Sequence, residues 1–188
     1  MIVRILFVAS LALAGCGVST SPPAPVPTGV LPVAAVPQLP AVTHPLSATD
    51  VSKDSTIADL AARLRSWGYL GGWERTFQGE SRRLTLVVSN SLQFRDHRGA
   101  TAFVHYMRDH IGGFFPLALV QPLSVTGGAG WVFEPPECAC HMANPYFIGV
   151  AASGSRVTWL EINGPLATPQ ALRSLLAKIP RAAKSTTP

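Results

Sequence analysis

Eight prolines, at positions 22, 23, 25, 27, 32, 37, 40 and 45, fall between Gly17 and Ser47. Each removes a backbone donor and fixes φ, so neither a helix nor a central strand persists through such a stretch. The spacing predicts an extended tether over residues 16–48. At about 3.1 Å per residue, such a tether reaches at most on the order of 90 Å. A docking motif for a proline-recognising partner around Leu39-Pro40-Ala41-Val42 is the other reading of this composition. The prolines confine the foldable part of the 188-residue chain to residues 49–180, with residues 181–188 as a solvated, disordered tail. That length suits one ordinary domain with a single core.

Ahead of the prolines, Arg4 and the terminal amine precede an apolar run from Ile5 to Ala14. Its length is that of a signal-peptide core and falls well short of the roughly 20 residues that span a bilayer. No later run is long enough to serve as a transmembrane helix. The apolar run closes on Leu13-Ala14-Gly15-Cys16, which resembles the lipobox of bacterial lipoproteins. The resemblance implies that residues 1–15 are a signal peptide, that cleavage precedes Cys16, and that Cys16 carries a diacylglyceryl thioether and a further N-acyl chain. It further implies a protein anchored to the cell membrane, with its domain on the extracytoplasmic side. Two or three acyl chains hold such a protein stably, since each buried CH₂ is worth about 0.8 kcal/mol. The triplet Ala12-Leu13-Ala14 also fits an A-x-A cleavage rule, which would give a simply secreted protein with Cys16 as an ordinary thiol.

Lys and Arg number 15 against 10 Asp and Glu; removing Arg4 with the leader leaves 14 − 10 = +4. Nucleic-acid binders cluster cations far more strongly, so no nucleic-acid partner is expected, and anionic lipid or glycan phosphate would be the better match. Arg82, Arg83, Arg95 and Arg98 read either as a patch for anionic head groups or as solvated charge that protects a sheet edge from pairing.

Within the domain, Ile57, Leu60, Ala61, Leu64 and Trp67 recur at helical spacing, with Ser55 or Thr56 as cap and Gly68 as stop. A hairpin follows, of strands Trp73–Phe77 and Arg82–Phe94. In its second strand Leu84, Leu86 and Val88 alternate with Thr85, Val87 and Ser89, the mark of one buried face. Asp96 caps a second helix carrying Ala100, Phe103, Val104, Met107 and Ile111. Strands are expected at Leu117–Val125, at an edge because of Pro122, and at Trp131–Glu134. Tyr146–Ala152 and Arg156–Asn163 form a hairpin about Ser153-Gly154-Ser155. Thr168-Pro169 opens a last helix with Leu172, Leu175, Leu176 and Ile179 on its apolar face. The order predicts an α+β fold: an antiparallel sheet of about five or six strands with helices packed on one face. In architecture this resembles the small domains of uncharacterised envelope lipoproteins of high-GC bacteria such as actinobacteria, a resemblance that carries over no functional residue.

Glu137-Cys138-Ala139-Cys140-His141 is the densest group of potential ligands. With Cys16 lipidated, two thiols remain in a compartment that permits oxidation, which favours a Cys138–Cys140 disulfide. A metal site using both thiolates with His141 and Glu137, a redox-active bridge, and free thiols are the competing readings. Structural zinc sites usually space paired cysteines more widely, so no metal and no cofactor is expected. No G-x-S-x-G or H-E-x-x-H motif is present. His105 and Asp109 read as a solvated pair, Glu134 and Glu137 as loop solvation, and Gly127–Gly130 as a turn without the lysine of a phosphate loop. Trp67, Trp73, Trp131 and Trp159 are the ligand-binding candidates, lining an aromatic cleft between sheet and helix. The sequence thus points to a lipid-anchored, non-catalytic module binding an envelope protein or an apolar ligand. The alternative is an envelope-acting enzyme or a metal or redox protein built on the Cys138/Cys140/His141 loop.

Overall fold

Period-two alternation produces most of this molecule, and its register shows which side chains share a face. The computed structural model describes residues 27–53, 55–113, 119–134 and 144–180. Strands β1 (Ala41–Leu46), β2 (Tyr69–Gln78), β3 (Leu86–Phe94), β4 (Leu119–Leu123), β5 (Gly128–Glu134), β6 (Tyr146–Ser153) and β7 (Arg156–Asn163) form one sheet. Its spatial order is β1-β2-β3-β7-β6-β5-β4, and every neighbouring pair is antiparallel. Among the described residues four α-helices accompany it: α1 (Ala48–Lys53), α2 (Leu60–Ser66), α3 (His97–His110) and α4 (Pro169–Leu176). Both edge strands carry a proline, Pro45 in β1 and Pro122 in β4, where a missing donor is tolerated and hinders further pairing. Among the described residues no helix is long and apolar enough to cross a membrane.

From residue 57 onward the elements follow the predicted order, with local corrections. Helix α2 begins at Leu60 rather than at Ser55 or Thr56. The Thr56 hydroxyl instead donates to the Gly113 carbonyl at 2.7 Å. Gly68, at φ +76°, ends the helix as expected. The Asp96 carboxylate accepts the Gly99 N–H at 3.0 Å, and Thr168 Oγ1 accepts that of Ala171 at 3.1 Å, so both caps are in place. Gly128–Gly130, expected in a turn, belong to β5, and only Gly127 (φ +74°) makes the turn.

Two expectations fail. The sheet has seven strands, not five or six, and its helices do not share one face. Leu92, Phe94, Ile148, Val150, Val157, Trp159, Trp131 and Phe133 are covered by Leu60 and Leu64 of α2 and by Phe103 and Met107 of α3. On the opposite face Phe77, Val87, Phe147, Leu160 and Ile162 are covered by Leu172 and Leu175 of α4. The reason lies in the central strand: β7 presents Val157 and Trp159 to one side and Leu160 and Ile162 to the other, so both faces need cover. In β3, likewise, Val87 and Ser89 are fully buried while Leu86 and Val88 are half-buried, the reverse of the predicted face.

The third correction concerns the tether. Leu31, Val36 and Leu39 are buried beside α4's apolar residues, and Ala41–Leu46 pairs along β2. The segment from Val30 to Leu46 therefore belongs to the folded body despite its prolines. Its backbone is satisfied by side chains of the sheet beneath it: Leu31 N–H donates to Ser89 Oγ at 2.9 Å, and Arg75 Nη1 donates to the Leu31 carbonyl at 2.8 Å. This is why Ser89 is tolerated in a buried position.

Candidate functional site

Helix α4 packs closely on the sheet at Gly149, where a Cβ would meet Leu176 at 2.8 Å and Leu172 at 3.3 Å. Beyond that point strand β6 offers only the small side chains of Ala151 and Ser153, and a space is left beneath the helix end. The result is a cavity of about 370 Å³ between the β6–β7 hairpin, the β4–β5 turn and the C-terminal end of α4. Its apolar wall is Val125, Leu176, Ala177, Ile179 and Pro180; its polar groups are Thr126, Ser153, Arg156, Thr158 and Arg173.

Arg156 is the first residue of β7 and, by alternation with Leu160 and Ile162, projects to the α4 side of the sheet. Among the described residues its buried Nε has no hydrogen-bond partner. The backbone at Gly29 lies against its stem: a Cβ there would come within 2.7 Å of Arg156 Cδ, and the φ of +74° is one that glycine adopts readily. Arg173 reaches the same cavity from α4, its Nη1 donating to the Ser124 carbonyl at 3.4 Å. Among the described residues no carboxylate lines the space. The ion pairs His44–Glu74 (3.4 Å) and Arg108–Asp109 (3.7 Å) lie elsewhere.

The opposite face of the sheet carries a polar row. Register places His44, Glu74, Asn90 and Trp159 side by side across β1, β2, β3 and β7, with Thr76, Val88, Glu161 and Ile148 in the next row. Thr76 Oγ1 donates to Glu74 Oε1 at 3.1 Å. Among the described residues the buried Asn90 Oδ1 has no hydrogen-bond partner. Burial pushes the Glu161 carboxyl up to about 7; the Trp159 side chain, hydrogen-bonded to it, partly offsets this, and Glu74 adds to it. Burial also raises the Tyr146 hydroxyl, with the Glu161 charge as the second cause.

The four tryptophans do not line one cleft. Trp131 and Trp159 are core residues, 5% and 4% exposed. Trp67 packs at the margin of the same cluster, its ring 5.2 Å from Tyr106 and 6.4 Å from Phe103. Trp73 shares the other face with Phe77, opposite Pro45 and Ser91. Nor do the four arginines make a patch, because Arg82 and Arg83 precede β3 while Arg95 and Arg98 follow it, roughly 30 Å of strand apart. Asp109 pairs with Arg108, and His110 stacks on Tyr106 at 4.0 Å. Glu134 accepts from Gln121 at 3.2 Å. Cys16, Glu137, Cys138, Cys140 and His141 lie outside the described residues.

Arg156, Arg173 and Glu161 escaped the sequence reading. The available signal was a charged residue inside a strand of core residues, as in Arg156-Val157-Thr158-Trp159-Leu160-Glu161-Ile162. No family model matches the chain, and no curated protein matches it. Among solved structures it is similar to the extracellular domain of PknH from Mycobacterium tuberculosis, at a TM-score of 0.48 and 12% identity over 74% of this chain and 79% of that chain.

Proposed function

We propose that this chain is an exported envelope protein, lipid-anchored through Cys16, whose α+β domain acts as a non-catalytic binding module using the cavity beneath α4. The observation that carries the binding role is the cavity itself: an apolar wall faced by a few convergent polar groups is the usual composition of a ligand site. Its volume of about 370 Å³ sits at the small end of the roughly 300–1,000 Å³ typical of such sites. Among the described lining residues the hydroxyls of Thr126, Ser153 and Thr158 have arginines and no histidine or carboxylate beside them, which suits holding a ligand better than activating a nucleophile. The anchor is supported by Leu13-Ala14-Gly15-Cys16 at the end of the apolar leader.

Expression of Cys16→Ala beside the unaltered chain tests the anchoring. The unaltered chain is expected in the membrane fraction, and the variant in the soluble envelope fraction or the medium. Equal membrane partitioning of the two overturns the anchor. For the binding role, native mass spectrometry of protein released gently from its producing cells is expected to show an added small-molecule mass, lost on Leu176→Trp, which fills the cavity. An added mass unaffected by that substitution places the ligand elsewhere and overturns this site.

A further inference from the structure

Resting on that binding role, we infer that the cavity takes a small ligand with an anionic oxygen head group, a carboxylate or phosphate, and a short apolar tail. Two guanidinium groups, always charged in proteins, converge on one 370 Å³ space from different elements, Arg156 from β7 and Arg173 from α4. Like charges brought to one space repel, and a buried guanidinium nitrogen without an acceptor is costly. Among the described residues no carboxylate lines the space and Arg156 Nε has no acceptor; Arg173 donates to the neutral Ser124 carbonyl at 3.4 Å. Packing alone gives no reason for this arrangement, whereas an incoming anion relieves both costs at once and presents the planar, two-oxygen edge that a guanidinium recognises.

The site is also prepared in advance. The Arg156 stem is held between the sheet and the backbone at Gly29, so little side-chain freedom remains to be lost on binding. The hydroxyls of Ser153 and Thr158 stand on the same strands as hydrogen-bond donors for remaining oxygens, and Leu176, Ile179 and Val125 form the apolar wall for the tail. The volume limits that tail to a short chain.

Titration of the full chain carrying Cys16→Ala with octyl phosphate, octanol and inorganic phosphate, followed by calorimetry and by amide resonances, separates the components. Octyl phosphate is expected to move resonances of residues 151–158 and 173–179, to bind at least about tenfold more tightly than octanol, and to be displaced by excess inorganic phosphate. Arg156→Gln and Arg173→Gln should each weaken it by about tenfold. Arg173 is exposed, so its variant keeps the test valid if Arg156→Gln disturbs the fold. Equal binding of octanol and octyl phosphate at these residues, unaffected by Arg173→Gln, overturns the anionic class while leaving the binding role in place. Inorganic phosphate binding as tightly as octyl phosphate overturns the apolar tail and identifies a free-anion site. Silence of these resonances with all three probes overturns both the anion inference and the cavity's binding role.

Discussion

Glu161→Gln should abolish a pH dependence of stability that the wild-type chain carries. Glu161 lies within β7 between Leu160 and Ile162, both fully buried, and shares its face with Trp159, which is 4% exposed. Burial lifts its carboxyl from an ordinary 4.5 to about 7. Below pH 4.5 the group is protonated in both the folded and unfolded chains, and its contribution is fully present. As pH rises, the unfolded chain ionises first while the folded chain still holds its proton, so folding stability falls; above about 7 the loss is complete. At about 1.4 kcal/mol per pH unit, the whole displacement converts to about 3 kcal/mol. Glu161 keeps some exposed surface, so solvent lowers the expected loss to about 1–3 kcal/mol. Gln has nearly the same shape and does not titrate. Urea unfolding of both proteins from pH 4 to 8.5, with reductant present throughout, gives the test, because all other titrating groups are common to the pair. The variant is expected to gain about 1–3 kcal/mol on wild type between the two ends of that range. A stability difference that stays constant with pH would refute the assignment of a buried, proton-holding carboxyl to this position.

Two further outcomes follow from packing. Leu31→Ala should cost about 2–5 kcal/mol in urea unfolding, as a fully buried leucine does, whereas a leucine in a free tether would give no measurable change. Gly99→Ala should destabilise, reversing the gain of about 1 kcal/mol that alanine usually brings inside a helix. A Cβ at that position would run into the Trp67 carbonyl, so a raised thermal midpoint for this variant would contradict the close seating of α3 against the end of α2.

The fold was legible where periodicity is strong and local. Helix α3 and the 3-10 turn after it recover the predicted stripe, with Ala100, Phe103, Val104, Met107 and Ile111 all buried, because a cap at Asp96 and a 3.6-residue period reinforce each other. The β6–β7 hairpin and α4 followed from equally local signals. The number of buried faces did not, because a strand apolar on both sides and a strand apolar on one differ only in what fills the alternate positions. In β3 those are serines. Ser89 and Ser91 are 0% and 3% exposed, and one of them is buried usefully because it accepts the Leu31 N–H. The candidate site was less legible still. Arg156 and Arg173 are 17 positions apart and meet only because α4 folds back over the hairpin, so no window of local sequence brings them together. The tryptophans, conspicuous in the sequence, owe their positions to size: Trp131 and Trp159 fill the core.

The prolines misled in an instructive way. They forbid a central strand, and none is central: Pro45 lies in edge strand β1, while Pro32 precedes the short 3-10 turn Val33–Ala35. Proline therefore selected where in the sheet this segment sits, and the buried Leu31, Val36 and Leu39 supplied the reason for it to stay there. Under the proposed anchoring at Cys16, no more than residues 17–28 separate the anchor from the segment that packs on the domain, against the 16–48 that proline content suggested. Twelve residues span at most about 40 Å when fully extended, less than half the reach that proline content alone suggested. The segment that begins at Gly29 packs directly on Arg156, so the last turn of the chain before the domain also braces the arginine on which the proposed ligand depends.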